Sequence, residues 1–296
     1  MKPDPARTQL PLRSAGSDCR DPSSEADDRL TAERLLPGLR TRWLGRTLHW
    51  LEETDSTNRV AQELARAGAP EGTAVVAEGQ TAGRGRLGRN FFSPPFHNLY
   101  TSIVLRPKAS AALTPATVLA AAVAVADAVA DTVGGRDLVE IKWPNDVLLA
   151  GLKVSGILLE LGAEGTRVAY LVLGIGVNLN VPRESFPDEF RARAGSLRSF
   201  LGARVDRIAF TRRLYEGLER TLDRCAADGL PGVLPEFEAW FRMRGRRVRV
   251  AGVGGNDVLE GIALGVDRSG ALRLGLASGE TRVVAGDVTL LKEATA

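Results

Sequence analysis

The stretch LVEIKWPNDVLLAGLKVSGILLEL, residues 138–161, contains three short apolar runs separated by a Trp-Pro-Asn-Asp segment and by a glycine. Short runs rich in Val, Leu and Ile between turn residues are typical of β-strands. We therefore predict strands at Leu138–Ile141, Val147–Leu149 and Lys153–Leu161, and a fourth strand at Arg167–Val177.

Both flanks of this stretch alternate between strands and helices. Before it, the pattern predicts a long Ala/Val-rich helix from Thr114–Pro115 to Val133, and Pro at the first helical position favours that start. After it, residues 181–195 are predicted to be a mobile loop, and apolar side chains spaced by four predict a long helix from Asp206. Further predicted elements are strands at Thr47–Leu51, Thr73–Ala77 and Leu99–Leu105, a helix from Asp55–Ser56 to about Ala67, and a short helix ending near Trp240. The fold class is α+β, a mixed β-sheet with packed helices.

The chain divides into three predicted parts. Residues 1–28 are rich in Pro, Ser, Asp and Arg without an apolar period, which predicts a disordered tail. Residues 29–244 form the large domain. From Gly245 apolar residues alternate with polar ones between glycine turns, so residues 245–296 are predicted to be a small five-stranded β-barrel.

Composition limits the class of protein. Hydrophobic residues make up 44% and charged residues 25% of the 296 residues, which is ordinary for a soluble globular protein. The longest apolar stretch, Pro115–Val133, is interrupted by Asp127 and Asp131, and we expect no membrane span. No signal-peptide core begins the chain, and Cys19 and Cys225 fit no metal or disulfide spacing. We expect a cytoplasmic protein.

The charge pattern gives a hint about lysine. The net charge is only +3, and 5 of the 39 basic residues are lysines, which a genome that favours arginine codons explains. Where any positive charge suffices, this chain uses arginine. Lys142 and Lys153 therefore mark places where a compact ammonium group matters.

One motif resembles a dinucleotide fingerprint without its context. Gly83-Arg84-Gly85-Arg86-Leu87-Gly88 matches G-x-G-x-x-G and follows a predicted strand, but Pro94 and Pro95 come next and no helix follows. A Rossmann site is therefore excluded. The loop keeps the chemistry of an anion-binding loop, because glycines let backbone N–H groups approach a ligand and the arginines supply charge. A solvated basic loop explains it equally well.

Two further motifs bring polar residues to strand ends. Lys142-Trp143-Pro144-Asn145-Asp146 places Asn and Asp together, where they bind Mg²⁺ or order a turn, and Lys153 opens an apolar strand in which a charge needs a partner. A β-turn and a snorkelling lysine are the structural alternatives. The run Gly174–Asn180 leaves room beside a ligand, or packs tightly against another strand.

These motifs together resemble those of the biotin–protein ligase family. The resemblance covers about residues 47–292 and rests on the order and spacing of Glu53–Asn58, Gln80–Arg86, Lys142–Asp146, Lys153–Ile157 and Gly176–Asn178. It implies a catalytic domain of the class II synthetase-like type followed by a small SH3-like barrel.

The resemblance also implies roles for individual residues. It implies that Arg84, Arg86 and Lys153 are catalytic, and that Asp146 is a Mg²⁺ ligand. For biotin it implies Ser56, Thr57, Asn58, Gln80, Arg84, Gly85, Arg86, Lys153 and Gly156, and for the nucleotide Gly83, Gly88, Arg89, Lys142, Asn145 and Asn178.

The implied reaction uses biotin and ATP as substrates with Mg²⁺, forms biotinyl-adenylate, and transfers biotin to a lysine of a biotin carboxyl carrier protein. The resemblance allows a homodimer. Some family members carry an N-terminal helix-turn-helix domain and repress transcription, but the residues before the first core strand leave no room for one here, so no specific DNA is expected. No tryptophan between Val181 and Leu197 is available to cover the adenine.

Lipoate ligases and octanoyl transferases are the nearest alternatives, because they share the general fold. A transferase of that kind needs a thiol near the site. Cys19 lies in the predicted tail and Cys225 lies far from the motifs in sequence, so biotin is favoured.

Overall fold

A computed structural model describes residues 28–106, 113–164, 167–253 and 257–291. Of the predicted tail, only Asp28 falls within these ranges, so the prediction for residues 1–27, including Cys19, lies outside the described residues. Asp28 is tied to the large domain, because its Oδ1 lies 3.0 Å from Arg207 Nη1.

A seven-stranded mixed sheet forms the large domain, in the order β1-β2-β3-β7-β6-β5-β4. β1 and β2 are parallel, and every other neighbouring pair is antiparallel. The strands are β1 Leu48–Thr54, β2 Ala74–Gln80, β3 Leu99–Leu105, β4 Val139–Lys142, β5 Asp146–Leu149, β6 Leu152–Glu164 and β7 Arg167–Val177. All seven agree with the predicted strands to within a few residues.

Helices cover both faces of this sheet. They are α1 Ala32–Leu35, α2 Thr57–Arg66, α3 Leu113–Val133, α4 Asp188–Arg191, α5 Leu197–Leu201, α6 Arg207–Asp228 and α7 Leu234–Trp240. α3 and α6 pack together on one face with the main hydrophobic core, and α2 lies on the opposite face, where Ala61 and Ala65 contact Val75, Val104 and Val172. Side chains of a strand alternate between the two faces of the sheet. Residues that are paired with Val172, or that lie two positions from it along β7, therefore point to the α2 face.

The predicted mobile loop 181–195 contains local structure that the sequence argument missed. A 3₁₀ turn at Arg183–Ser185 and helix α4 lie within it. Its end is paired with the large sheet, because Lys153 N–H donates to Arg193 O at 2.8 Å and Gly195 N–H donates to Lys153 O at 3.0 Å.

The C-terminal module is a five-stranded antiparallel sheet with its own buried face, as predicted. Its order is β11-β10-β9-β8-β12. The strands are β8 Arg247–Val253, β9 Asp257–Val266, β10 Leu272–Leu276, β11 Gly279–Val283 and β12 Asp287–Leu290. Its buried apolar residues belong to the same hydrophobic cluster as the core of the large domain, and the Trp143 indole N–H donates to Gly270 O at 2.9 Å.

Helix α3 is strongly apolar in composition. Within it, Pro115–Val133 has 19 residues and a mean hydropathy of 1.7, enough by length and composition to cross a membrane. Asp127 and Asp131 therefore do not exclude a membrane span by length and composition. In the structure 72% of the most apolar stretch of this helix is buried inside the protein, in the core between the sheet and α6.

Candidate active site

A cleft lies on the α2 face of the large sheet, where the strand ends meet the first turn of α2. It encloses about 480 Å³, a volume that includes open solvent at its mouth. Its walls come from α2, the loop after β2, and strands β3, β6 and β7. The lining residues are Ser56, Thr57, Asn58, Gln80, Arg84, Gly85, Arg86, Phe91, Tyr100, Thr101, Asn145, Lys153, Gly156, Ile157, Leu158, Gly174, Ile175 and Gly176.

Glycines form the floor of the cleft. Gly156 is paired with Gly176 across β6 and β7, and Leu158 is paired with Gly174. A Cβ on Gly176 would lie 2.6 Å from the ring of Phe91. A side chain at this position would therefore displace Phe91, and the glycine lets an aromatic ring and the backbone form one apolar surface.

Hydrogen-bonding groups define one end of the cleft. Gln80 Oε1 accepts from the backbone N–H of Thr57 at 2.9 Å and from its hydroxyl at 3.1 Å. Ser93 Oγ donates its single proton to Phe91 O, so it must accept from Gln80 Nε2 at 3.1 Å. The Gln80 amide is thus fixed in one orientation. Ser56 is buried beside it, and its hydroxyl does not cap α2.

Cations and two carboxylates define the other end. Lys153 Nζ lies 2.7 Å from Asp146 Oδ1, and Lys142 Nζ lies 3.5 Å from Asp146 Oδ2. Lys142 also lies 3.9 Å from Asp287 of the small module. Arg89 Nη2 contacts the other oxygen of Asp287 at 2.8 Å. Asp146 is the partner that a charge at the start of β6 requires.

The pKa values follow from this arrangement. Burial is the main effect on Arg86 and lowers the pKa of its guanidinium, although Asp146 and Asp287 act in the opposite direction. Burial alone would raise the pKa of Asp287, but the hydrogen bond from Arg89 and the charges of Lys142, Arg89 and Arg86 outweigh burial and lower it. The cations Arg86, Arg89, Lys142 and Lys153 outnumber the two carboxylates, so this end of the cleft suits an anionic ligand.

The loop between β2 and β3 folds into a small hairpin over the cleft. Gly85 N–H donates to Arg89 O at 2.7 Å, and Phe91 N–H donates to Gly83 O at 2.9 Å. Leu87, at the tip, has a left-handed backbone with φ of 57° and is 71% exposed. No α-helix follows the loop, which agrees with the exclusion of a Rossmann site.

The described residues contain no group of three or more His, Cys, Asp or Glu side chains that could hold a metal ion. Asp146 was predicted to bind Mg²⁺, but each of its oxygens faces a lysine. A protein-built magnesium site does not fit this arrangement, since Mg²⁺ held by protein alone would need several oxygen ligands.

Most predicted site residues converge on the cleft. The biotin set and Asn145 line its wall, and the Arg86 guanidinium donates to Asn145 Oδ1 at 2.9 Å. Lys142, Asp146 and Arg89 lie behind the wall in the charged cluster, and Gly83 and Gly88 shape the loop. Asn178 is different, because its buried amide donates to Gly195 O at 3.1 Å and accepts from Asn98 at 3.3 Å, so it holds loops together.

Sequence reasoning missed several residues of the cleft. Phe91, Tyr100 and Leu158 supply its apolar wall, and Ser102 and Glu160 lie just behind it. The pair Phe91–Phe92 in an otherwise polar loop was the available signal. Nothing in the local sequence distinguishes Ser102 or Glu160 from other strand residues.

Fold and site together define a class of protein. A mixed sheet carries a cleft with an amide-recognising end, an apolar floor and a cationic end, which fits an enzyme that joins an organic acid to a phosphate-bearing substrate. Residues 50–178 match the biotin/lipoate A/B protein ligase family, and residues 245–291 match the biotin protein ligase C-terminal domain.

Known proteins are similar to this chain along most of its length. The biotin–[acetyl-CoA-carboxylase] ligase of Mycobacterium tuberculosis is 34% identical over 274 residues, covering 90% of this chain and 96% of that protein. The bifunctional ligase/repressor BirA of Bacillus subtilis is 35% identical, covering 88% and 79%. The biotin protein ligase of Aquifex aeolicus in complex with biotin and ATP has a TM-score of 0.71 at 28% identity, covering 84% and 100%. The chain belongs to the biotin–protein ligase family.

Proposed function

We propose that this protein uses ATP to activate biotin and then couples it to a lysine of a biotin carboxyl carrier protein. Ligase activity with biotin and ATP follows from membership of the family, and the carrier is our inference. The observation that carries the proposal is the cleft itself, which places fixed amide and hydroxyl groups at one end of an apolar floor and four cations around its other end.

Biotin fits this cleft in one direction. Its polar ureido ring needs donors and acceptors, which Ser56, Thr57 and Gln80 supply. Its apolar bicycle would lie on the glycine floor beside Phe91. Its carboxylate tail then points toward Lys153, whose ammonium group lies 3.1 Å from the position of a Cβ on Gly156, so this glycine leaves room for the ammonium.

The first half-reaction joins two anions, so charge compensation is its main requirement. A biotin carboxylate oxygen forms a bond to the α-phosphorus of ATP, and the bond from that phosphorus to the bridging oxygen breaks, releasing pyrophosphate. Lys153 would hold the carboxylate, and Arg84, Arg86, Arg89 and Lys142 would bind phosphate oxygens. Catalysis then comes from positioning and electrostatic stabilisation rather than from an enzyme nucleophile.

The second half-reaction needs an entering amine. The lysine nitrogen of the carrier attacks the acyl carbon, the bond between that carbon and the phosphate oxygen breaks, and AMP leaves as the amine loses a proton. Arg84 is exposed on the loop beside the cleft mouth. We place the loop 83–91 over the mixed anhydride, where it would limit hydrolysis.

Mg²⁺ enters this proposal with ATP as part of the substrate. Magnesium usually binds through substrate phosphates with one or two carboxylates, and Asp146 is the carboxylate nearest to Lys153. No step here passes through the metal.

The proposal extends to domains at 29–244 and 245–296, a cytoplasmic location, and a homodimer as the assembly to test.

A thiol-dependent octanoyl transferase is not supported by the described residues. Cys225 is the free cysteine among them; it is buried in α6, and burial raises the pKa of its thiol to about 11. It therefore lies in an inert environment rather than in the cleft.

Intact-mass analysis tests the proposed function. The protein is incubated with a biotin carrier domain, ATP, Mg²⁺ and biotin, and we expect the mass of one biotinyl group to be added to the carrier. Parallel reactions contain lipoate or octanoate instead. A mass shift with one of these acids and none with biotin would overturn the proposal.

A further inference from the structure

A chain of hydrogen bonds runs from the outer end of the cleft floor to the predicted ureido end. The Asn58 side-chain amide donates to Glu160 Oε2 at 2.6 Å, and Ser102 Oγ lies 2.6 Å from Asn58 Oδ1. Ser102 Oγ also lies 2.8 Å from the hydroxyl of Thr57, which in turn donates to Gln80 Oε1. The chain begins at a carboxylate and ends at a side chain proposed to bind biotin.

The sheet register places Glu160 at the end of this chain. On β6, Gly156, Leu158 and Glu160 point to the same face because they are two residues apart. Glu160 is paired with Val172, whereas Leu158 is paired with Gly174. Glu160 is partly exposed and lies one step beyond the cleft lining, at the outer end of the hydrogen-bond chain.

The inner members of the chain are closely confined. Asn58 and Thr57 are each 4% exposed, and Ser102 is fully buried. A Cβ on Gly174 would lie 2.1 Å from Asn58 Oδ1. The Asn58 side chain therefore fills the space above this glycine, and the direction of its amide decides which hydrogen bonds the buried hydroxyls make.

A carboxylate only accepts hydrogen bonds, so Glu160 turns the Asn58 NH₂ group outward and its oxygen inward. Ser102 has one hydroxyl proton, and the Asn58 oxygen is a pure acceptor at the shorter distance. That proton goes to Asn58. The Thr57 oxygen then receives no proton from Ser102 and keeps both lone pairs, while its own proton is shared between Ser102 Oγ at 2.8 Å and Gln80 Oε1 at 3.1 Å.

The opposite amide orientation would reverse this. If the Asn58 NH₂ group faced Ser102, it would donate to Ser102, and the Ser102 proton would go to Thr57. One of the two lone pairs of the Thr57 oxygen would then be used by Ser102. A ligand with a ring N–H, such as a cyclic urea, would have one acceptor position on Thr57 instead of two.

We propose that Glu160 is a positioning residue for substrate recognition, which locks the Asn58 amide so that the Thr57 hydroxyl accepts a hydrogen bond from a ureido N–H. This rests on the proposed function, since it assigns the ureido ring to this end of the cleft. Glu160 contacts no reacting atom. Its effect is on biotin binding and not on ATP.

Steady-state adenylation by the full-length protein, followed as pyrophosphate release, tests the role. Glu160→Leu removes the acceptor, and we expect KM for biotin to rise about 5- to 30-fold, the usual effect of one buried hydrogen bond, with KM for ATP unchanged. Glu160→Gln keeps the length of the side chain but can donate as well as accept, so it no longer fixes the Asn58 amide, and we expect KM for biotin to rise by less than in Glu160→Leu. A rise in KM for ATP as large as that for biotin would overturn the proposal, because the role is selective for biotin.

The matched control is Glu63→Leu, which removes an exposed carboxylate from α2, the helix that carries Asn58; Glu63 pairs there with Arg59. It should leave both KM values unchanged. If Glu160→Leu does not fold in a thermal melt, Ser102→Ala breaks the chain from its buried side and should raise KM for biotin selectively. Combined with Glu160→Leu in a folded protein, it should add little, because both changes act on one chain.

The outcomes separate the two proposals. An unmodified protein that does not adenylate biotin contradicts the proposed function and this role with it. An unmodified protein that adenylates biotin, with folded Glu160→Leu or Ser102→Ala variants of normal KM for biotin, overturns only the role of Glu160.

Discussion

Lys153 places a positive charge at the cationic end of the cleft. It opens β6 with its ammonium group 2.7 Å from Asp146 and beside Gly156. An arginine, which this chain prefers elsewhere, has a planar head group that needs more room than the compact ammonium. The site thus needs both the charge and the small volume.

Two variants of Lys153 separate these requirements. Lys153→Gln removes the charge and Lys153→Arg enlarges the head group, and we expect both to slow biotin adenylation. Loss of a charged contact that acts in the transition state typically costs about 2–4 kcal/mol, or roughly 30- to 1000-fold in rate. Pyrophosphate release is measured beside a thermal melt of each variant. Near-normal adenylation by folded Lys153→Gln would reduce Lys153 to a structural partner of Asp146.

Gly176 offers a second test at the scale of one residue. A Cβ there would lie 2.6 Å from the Phe91 ring, so Gly176→Ala must displace that ring from the floor. Overpacking of this kind costs about 1–3 kcal/mol, and we expect binding of biotin, measured by calorimetry, to weaken by roughly tenfold or more. Gly135→Ala is the control, because nothing lies within 4 Å of its Cβ position. Equal affinity of both variants would show that Phe91 is not part of the floor when biotin binds.

At the scale of elements, Glu219 on α6 binds the backbone of the segment before β1, beside further contacts from Glu216 and Asp223. Glu219 accepts hydrogen bonds from the backbone N–H groups of Arg42, Trp43 and Leu44, at 2.9 to 3.0 Å. Burial alone would raise the pKa of Glu219, but these bonds and the Arg42 side chain outweigh it and lower the pKa from its ordinary value of 4.5.

The lowered pKa of Glu219 predicts a dependence of stability on acid. Its contribution to the free energy of unfolding is present above about pH 4.5 and is lost as the pH falls through the lower native pKa. At neutral pH, Glu219→Gln should lower the free energy of unfolding by about 1–3 kcal/mol, because an amide has one acceptor oxygen instead of two. We expect the two proteins to approach each other in stability as the pH falls, measured by urea unfolding. A constant difference across the pH range would contradict the assigned role.

On the scale of the whole molecule, the small module reaches the cleft through Asp287. This carboxylate lies between Arg89 and Lys142, two side chains proposed to bind phosphate, and is partly exposed. A bound polyphosphate would compete with Asp287 for both cations. The small module therefore sets part of the electrostatic potential at the cationic end.

Removing this charge should favour ATP. For Asp287→Asn we expect KM for ATP to fall by about three- to tenfold, since repulsion between nearby like charges outweighs the small gain from a partly exposed ion pair. KM for biotin should not change, and the difference should shrink at high salt. Glu280→Gln breaks another ion pair of the same module, with Arg273, and serves as the control. A rise in KM for ATP would mean that Asp287 holds its partners in place instead.

Local sequence was enough to determine the elements and the class of site. The seven strands of the large sheet and the long helices were predicted from the apolar periodicity, the turn residues and the helix starts. These signals lie within a few residues of each other in the chain. The resemblance of the motifs to the biotin–protein ligase family implied roles for Ser56, Gln80, Arg86 and Lys153. The family and its ligase activity were predicted correctly from that resemblance.

Only the tertiary structure decided which residues that are far apart in the sequence contact each other. Strand order and register bring Glu160 to Asn58, 102 positions away, and the docking of the small module brings Asp287 to Arg89. It also buried the apolar helix α3, gave Asp146 two lysine partners, and turned Asn178 into a structural residue. A side chain's role depends on which partners it meets, and those partners are fixed by packing, not by neighbours in sequence.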